Sequence, residues 1–393
     1  MVFTGEDAEF LQQLPWYKPL GDWKPGPVKF LNIRSGLSRH LVRFITIRRA
    51  AFAVKETSAE AAEKEFASYR RLGEMEIPTL LPAGTVCRSE GRVAVKTGIG
   101  LQIEPRSTGY VITRLLEYSV PNYFLFRRAF KKINRLRIWD AIVRLFVQLH
   151  CKGVYWGDAS LSNMMIVFVK QQFPEIGVRT VLRAVLADAE TVEFHSHLSD
   201  RLRTTDLENF LDSMAWTESD LRASGVIRDP LMTADDQQYI VERYRDLFEI
   251  EREEQSFELI TKIDVDRLIG PFQLRGQSKA LLQHIYEHKW YLSENEKREV
   301  SVEEAAHDWY INVFKPVILL FGEFAIMDDF PDRTASSIYL DIMLHKYFLS
   351  ERTGRDVGLV PAIESYSRQF KDNKRTMEKM MKLAMSMQKF QPR

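Results

Sequence analysis

Val154-Tyr-Trp156-Gly157-Asp158-Ala-Ser-Leu-Ser-Asn163-Met-Met-Ile166, followed by Val185-Leu-Ala-Asp188-Ala-Glu190, is the stretch of this 393-residue sequence on which the fold turns. A carboxylate and a carboxamide stand five residues apart on a loop that enters one strand, and a second carboxylate closes the next strand, so the three converge on one point. That set suits phosphoryl transfer. Asp158 can accept the proton of a hydroxyl, while Asn163 and Asp188 offer hard oxygen ligands to a Mg²⁺ that bridges nucleotide phosphates. The Asp-x4-Asn pair alone arises often by chance, and its weight comes from what precedes it.

Upstream, the segments 28–33, 40–47 and 50–54 are short, rich in β-branched and aromatic residues, and separated by turn signals at Ser35-Gly36 and Arg48-Arg49. They predict an antiparallel meander whose third strand runs into Ala53-Val54-Lys55. Thr57-x-x-Glu60 reads as a capping box opening an alanine-rich helix to about Leu72, stopped by Pro78 and Pro82. Ala53-Val54-Lys55 resembles the strand element of kinases whose lysine pairs with a helix glutamate, and that likeness makes Glu65 the expected partner of Lys55, with Glu63 as the alternative. Residues 110–116 predict a further strand, 129–151 a helix, and 164–169 and 181–187 two strands joined through Pro174 and Gly177. From about Leu198 only helical periodicity remains, as in 235–254 and 278–291. The class is α+β with an all-helical carboxyl half.

Composition narrows the functions. At 45% hydrophobic the chain can build two or three cores, which excludes a disordered or fibrous protein. Lys+Arg 55 against Asp+Glu 54 leaves a net charge of +1, and with no recognised module nucleic acid is not an expected partner. The two cysteines, Cys87 and Cys151, form neither a disulfide framework nor a structural zinc site, which fits a reducing cytoplasm. No apolar run nears the roughly 18 residues of a membrane span, and the longest, 317–321, is expected in a core.

Five features thus stand in a fixed order: sheet, Lys55, Glu65, the Asp158/Asn163 loop and Asp188. On these residues the chain resembles the protein-kinase-like superfamily. It is most similar there to lipopolysaccharide core kinases and to a bacterial family that joins such a domain to a carboxyl-terminal domain of unknown function. Trp156-Gly-Asp-Ala-Ser-Leu-Ser-Asn163, Leu186-Ala-Asp-Ala-Glu-Thr191 and a repeated Tyr-Leu-Ser-Glu element carry the likeness. It implies a two-lobed fold with ATP and Mg²⁺ between the lobes, Asp158 as catalytic base, and Asn163, Asp188 and Glu190 on metal. Lys55, Glu65, Gly36, Arg114 and Leu115 are implied at the nucleotide, and the likeness supplies no acceptor beyond a hydroxyl, with sugars of a cell-envelope glycan or lipid as the class. The pattern departs from protein kinases at three places. Trp156 stands where they have His, Ala189-Glu190 replaces Phe-Gly after the metal Asp, and the phosphate loop Arg34-Ser-Gly36-Leu-Ser-Arg39 has one glycine.

Residues 123–139 mix aromatics with Arg127, Arg128, Lys131, Lys132, Arg135 and Arg137 and contain no acid. Two expectations fit: docking on an anionic membrane surface, which would make a cytoplasmic protein peripheral at the inner membrane, or a solvated face of an amphipathic helix. Farther on, His288-Lys-Trp290-Tyr-Leu292-Ser293-Glu294 recurs 57 residues later as His345-Lys-Tyr347-Phe-Leu349-Ser350-Glu351. Two copies of a helix-loop-helix unit, 288–314 and 345–370, are expected to bury Trp290 with Tyr347 and Leu292 with Leu349 at equivalent places, and to begin a turn at Ser293 and Ser350. The tail 371–393 carries seven basic and two acidic residues with a methionine stripe suited to a partner. Expected domains are 1–116, 117–255 and 256–393. The competing expectation is a pseudokinase scaffold that binds protein partners through its helical half.

Overall fold

Strand side chains alternate between faces, so a sheet with apolar residues at both parities must be covered twice. The amino-terminal sheet is such a case. In the computed structural model, which describes residues 1–26, 28–33, 40–97, 100–121, 125, 132–173, 177–228, 230–264, 276–324, 326, 330 and 333–370, six antiparallel strands lie in the order β1-β5-β6-β4-β3-β2. They are β1 (Val2–Phe3), β2 (Lys29–Phe30), β3 (Val42–Ile47), β4 (Ala50–Ser58), β5 (Leu81–Thr97) and β6 (Gly100–Arg114). On one face Phe52, Val54, Tyr110 and Ile112 pack with Leu11, Trp16, Leu20 and Trp23 of the amino-terminal segment, which includes α1 (Ala8–Gln12). The Trp16 ring lies 5.0 Å from Trp23 and 5.3 Å from Tyr110. On the other face Lys55 pairs with Val111 across β4 and β6, under helix α2 (Ala59–Glu74), which buries Ala62, Tyr69 and Leu72.

The start of α2 corrects the expected cap. Ser58, not Thr57, caps the helix, its Oγ accepting from the Ala61 amide at 3.1 Å. Strand pairing explains the shift, because Thr57 and Ser58 still oppose Gly109 and Thr108 in the ladder and the helix begins only after them. The expected strand at 28–33 shrinks to two residues, and the long β5–β6 hairpin was not foreseen. Pro82 sits inside β5 at a register shift, a place where a missing amide is tolerated.

The second lobe is mostly helical. Helix α3 (Lys132–Cys151) turns Ile138, Ile142, Phe146 and Leu149 into the core, and α4 (Asp200–Ala223) adds Phe210 and Met214. β7 (Ser119–Pro121) precedes α3, and between the two helices come β8 (Val154–Tyr155), β9 (Met164–Phe173), β10 (Gly177–Leu186) and β11 (Glu193–Phe194), in sheets ordered β10-β9-β7 and β11-β8. These strands hold up two loops, 156–163 and 187–192.

By its internal contacts the chain divides into two units, Met1–Gln172 with Ile176–Phe248, and Phe173–Glu175 with Glu249–Arg393. Helix α5 (Ala234–Thr261) is continuous through that division, so residue 255 falls inside a helix. The second unit comprises α6 (Ser278–Glu296), α7 (Val302–Trp309), a π-helical turn (Tyr310–Phe314), α8 (Lys315–Glu323), α9 (Ala335–Thr353) and α10 over 359–370. Its core gathers Leu281, Ile285, Trp309, Phe314, Val317, Phe321, Ile338, Tyr339, Ile342 and Tyr366.

The repeat appears there in matching contacts. Ser293 Oγ accepts from the Val300 amide and Ser350 Oγ from the Val357 amide, each at 3.2 Å. Both helices end on a left-handed residue at the same offset, Lys297 and Gly354. The two serines therefore close their turns from inside the helix instead of starting them. Trp290 and Tyr347 are equivalent but not buried, being 67% and 61% exposed, and Leu292 and Leu349 are both half-buried. Helix phase is the reason: Leu281 and Ile285 define the inward stripe of α6, and Trp290 lies off it. No helix among the described residues is long and apolar enough to cross a membrane.

Candidate active site

Lys55 leaves β4 with its ammonium among three carboxylates, 3.0 Å from Glu65 Oε2, 3.1 Å from Asp188 Oδ2 and 3.4 Å from Glu190 Oε2. Burial alone would lower its pKa, but the charges of Glu65 and Asp188 outweigh that and hold it above the ordinary lysine value. His40 lies 3.6 Å from Glu190.

Glu65 is the buried member of the set. Burial first, and then repulsion from Asp188, push its carboxyl up to about 7 against the pull of Lys55. Its other oxygen lies 2.9 Å from the Tyr69 hydroxyl, whose one proton is shared between that carboxylate and the Ala187 carbonyl at 2.7 Å. Tyr69 follows Glu65 by four residues and so shares its helix face.

The loop that carries Asp158 is fixed from below. Gly153 and Gly157 take left-handed backbone angles, φ +75° and +81°, and a Cβ on Gly153 would stand 2.3 Å from the His195 carbonyl. Asp206 of α4, fully buried, accepts from the Trp156 and Gly157 amides at 2.7 Å each. His150 Nε2 meets the same carboxylate at 3.2 Å while its Nδ1 lies 2.7 Å from the Tyr244 hydroxyl, and burial lowers the His150 pKa despite Asp206. The neutral ring then donates from Nε2 to Asp206 and accepts at Nδ1 from Tyr244. Trp156 turns its indole N–H onto the Asp188 carbonyl at 3.0 Å, and Thr191 Oγ1 donates to the Trp156 carbonyl at 2.7 Å. The Trp156 indole thus joins the Asp158 loop to the Asp188 segment.

Asp158 is exposed at the end of this loop. Asn163 donates from Nδ2 to its carbonyl at 2.9 Å and to its carboxylate at 3.0 Å, which leaves Asn163 Oδ1 as the amide's acceptor atom. The Ala187 amide donates to the Asn163 carbonyl at 2.8 Å, placing Asn163 beside the Asp188 segment. Carboxylate oxygens of Glu65, Asp188 and Glu190 lie within 4.8 Å of one another. Hard oxygens in excess over the single lysine fit a divalent cation such as Mg²⁺.

Not every expected residue joins this cluster. Arg114 pairs with Asp7 at 2.6 Å, and the Leu115 amide is taken by the Ala51 carbonyl at 2.9 Å. Gly36 lies outside the described residues, as do 126–131, with Arg127, Arg128 and Lys131, and the tail 371–393. Arg135 of the basic stretch bridges to the buried Asp206-independent carboxylate Asp236 at 3.0 Å, so it is not a freely solvated cation. Asp206, Tyr69 and His150 were missed. Asp206 had a signal, an acid on the apolar stripe of Leu207, Phe210 and Met214.

A comparison with family models matches residues 303–370 to a domain of unknown function (DUF4032). A comparison with curated proteins gives no match. Similar solved structures include WaaP in complex with acyl carrier protein, 18% identical over 57% of this chain and 84% of that chain with a TM-score of 0.37. The Rio2 kinase of Chaetomium thermophilum in an ADP/Mg²⁺-phosphoaspartate complex is 13% identical over 56% of this chain and 72% of that one, with a TM-score of 0.32. An aminoglycoside-3'-phosphotransferase of type VIII is 14% identical over 61% and 98%, also at 0.32. Within this chain, a sheet with one helix carrying Lys55 and Glu65, followed by a helical lobe presenting Asp158 and Asp188, forms a two-lobed protein-kinase-like α+β fold, with a further helical carboxyl-terminal region.

Proposed function

We propose that this chain is an ATP- and Mg²⁺-dependent phosphotransferase acting on a hydroxyl, with sugar hydroxyls of a cell-envelope glycan or lipid as the acceptor class. One observation carries this: Lys55 stands between Glu65 and Asp188 at 3.0 and 3.1 Å, and Asn163, bonded to Asp158, is tied to the residue before Asp188. Lys55 neutralises phosphate oxygens, and Glu65 orients it. Asn163, Asp188 and Glu190 would hold Mg²⁺, which when bound supplies positive charge against the phosphates. The acceptor oxygen forms the new bond to the γ-phosphorus as the β,γ-bridge breaks, and its proton goes to Asp158. Nucleotide would displace Lys55 from Asp188 and Glu190, freeing both carboxylates. The cytoplasm, where ATP is made available, is the location this activity requires.

A second reading, a non-catalytic scaffold whose helical unit binds protein, is favoured by one feature. Trp290, Tyr291, Tyr347 and Phe348 are all exposed on α6 and α9.

Asp158→Asn and Asp188→Ala separate the roles. With water as acceptor, Asp158→Asn is expected to slow ATP turnover by about a hundredfold or more while keeping Mg·ATP affinity, because a base acts only on the acceptor. Asp188→Ala is expected to lose Mg·ATP binding itself. Equal loss of binding in both variants would contradict these assignments.

A further inference from the structure

Tyr69 is wholly buried, yet it ends in a polar atom that touches two elements. Its hydroxyl joins Glu65, one helical turn earlier on α2, to the Ala187 carbonyl immediately before Asp188. With the Lys55 contacts this closes a ring: Lys55 to Glu65, Glu65 to Tyr69, Tyr69 to Ala187, Asp188 back to Lys55. In the proposed reaction Lys55 must leave Asp188 for phosphate, and the ring then opens at that point. The Tyr69 hydroxyl is what still ties the Glu65 turn of α2 to the Asp188 segment.

Other bonds anchor the same region differently. The Leu80 amide and the Thr79 hydroxyl donate to the Leu186 carbonyl, and the Leu186 amide donates to Pro78. The Lys152 ammonium also bonds the Met75 carbonyl. All of these hold the chain after α2, and the β4–β6 ladder holds its start at Thr57 and Ser58, so none of these bonds falls on the Glu65 turn itself.

We propose that Tyr69 is a positioning residue whose hydroxyl holds Glu65, and through it Lys55, in register with Asp188 once nucleotide is bound. This rests on the phosphotransferase reading for its catalytic consequence, but not for its mechanical one. Tyr69→Phe keeps the ring in the buried apolar core to which Tyr69 belongs and removes only the tie.

Two measurements on the full chain test it. In the free protein, amide hydrogen exchange over 61–69 and 187–190 is expected to quicken by about tenfold or more in Tyr69→Phe, while the core of α3 over 142–149 stays as in wild type. Unchanged exchange over 61–69 would overturn the proposal, whatever the enzyme does. With Mg·ATP, kcat is expected to fall about tenfold with affinity for Mg·ADP within about threefold, since register matters most in the transition state. A kcat equal to wild type would remove the catalytic part. Should wild type neither bind nor turn over nucleotide, the phosphotransferase reading fails, and the exchange result still decides whether Tyr69 is the tie.

Discussion

Asp206→Ala removes one carboxylate from beneath the candidate catalytic loop, and its cost follows from what that carboxylate accepts. The Trp156 and Gly157 amides, each 2.7 Å away, and His150 Nε2 at 3.2 Å all lose their acceptor. Alanine brings no replacement, and the site is sealed, Asp206 being fully buried. Two orphaned amides at about 1–3 kcal/mol each, less the relief of no longer burying a charge, give an expected loss of roughly 2–5 kcal/mol. His150 stays neutral and can keep its bond to Tyr244, so the damage should centre on the loop. Because the chain has two units, a single unfolding midpoint would mix their transitions. Amide exchange resolved by peptide is the better assay: 153–160 should lose protection most, with the first unit's core following and α6 to α10 unaffected. Asp206→Asn, which keeps one acceptor oxygen, should lie between. A loss under about 1 kcal/mol, or unchanged protection at 153–160, would refute the role assigned to this carboxylate.

Three further outcomes are expected. Glu65, pushed up from 4.5 to about 7, binds its proton more tightly in the folded state, so stability should fall as pH rises through that interval; Glu65→Gln should remove this slope, worth roughly 3 kcal/mol, and parallel denaturation curves for both proteins would count against a buried, proton-holding Glu65. Ser293→Ala and Ser350→Ala should each cost about 1 kcal/mol and match within about half of that, because each loses the same 3.2 Å bond; a large inequality measured by urea unfolding would speak against equivalent copies. Gly153→Ala should destabilise the first unit by at least about 2 kcal/mol, since it needs φ +75° and meets the His195 carbonyl at 2.3 Å, and an unshifted thermal transition would contradict that geometry.

Lys55, Glu65 and Asp188 were legible because each needs a particular residue type at a particular place in the order of elements, and the ladder delivers them to one point. Glu65 was preferred to Glu63, and it is Glu65 that meets the ammonium. Asp206 and Tyr69 were illegible for a shared reason. Each is one polar residue on an apolar helix stripe, and its partner is far along the chain, 50 residues for Trp156 and 118 for Ala187. Sequence periodicity shows the stripe but not what waits opposite it. Thr57 was expected as the cap because Glu60 stands three residues on, but the β4–β6 ladder, a long-range feature, still holds Thr57 and leaves the cap to Ser58. Trp290 and Tyr347 were expected inside on hydrophobicity, whereas facing is set by helix phase relative to Leu281 and Ile285.

Whether nucleotide and metal bind at the Lys55 cluster is decided by titrating the full chain with ATP in the presence and absence of Mg²⁺, by calorimetry or thermal shift, alongside Asp188→Ala. Wild type should be stabilised by Mg·ATP, by about 2.7 kcal/mol at a hundredfold excess over Kd, and Asp188→Ala should lose most of that gain. Wild type unmoved by saturating Mg·ATP, or Asp188→Ala stabilised to the same extent, would contradict the proposed site.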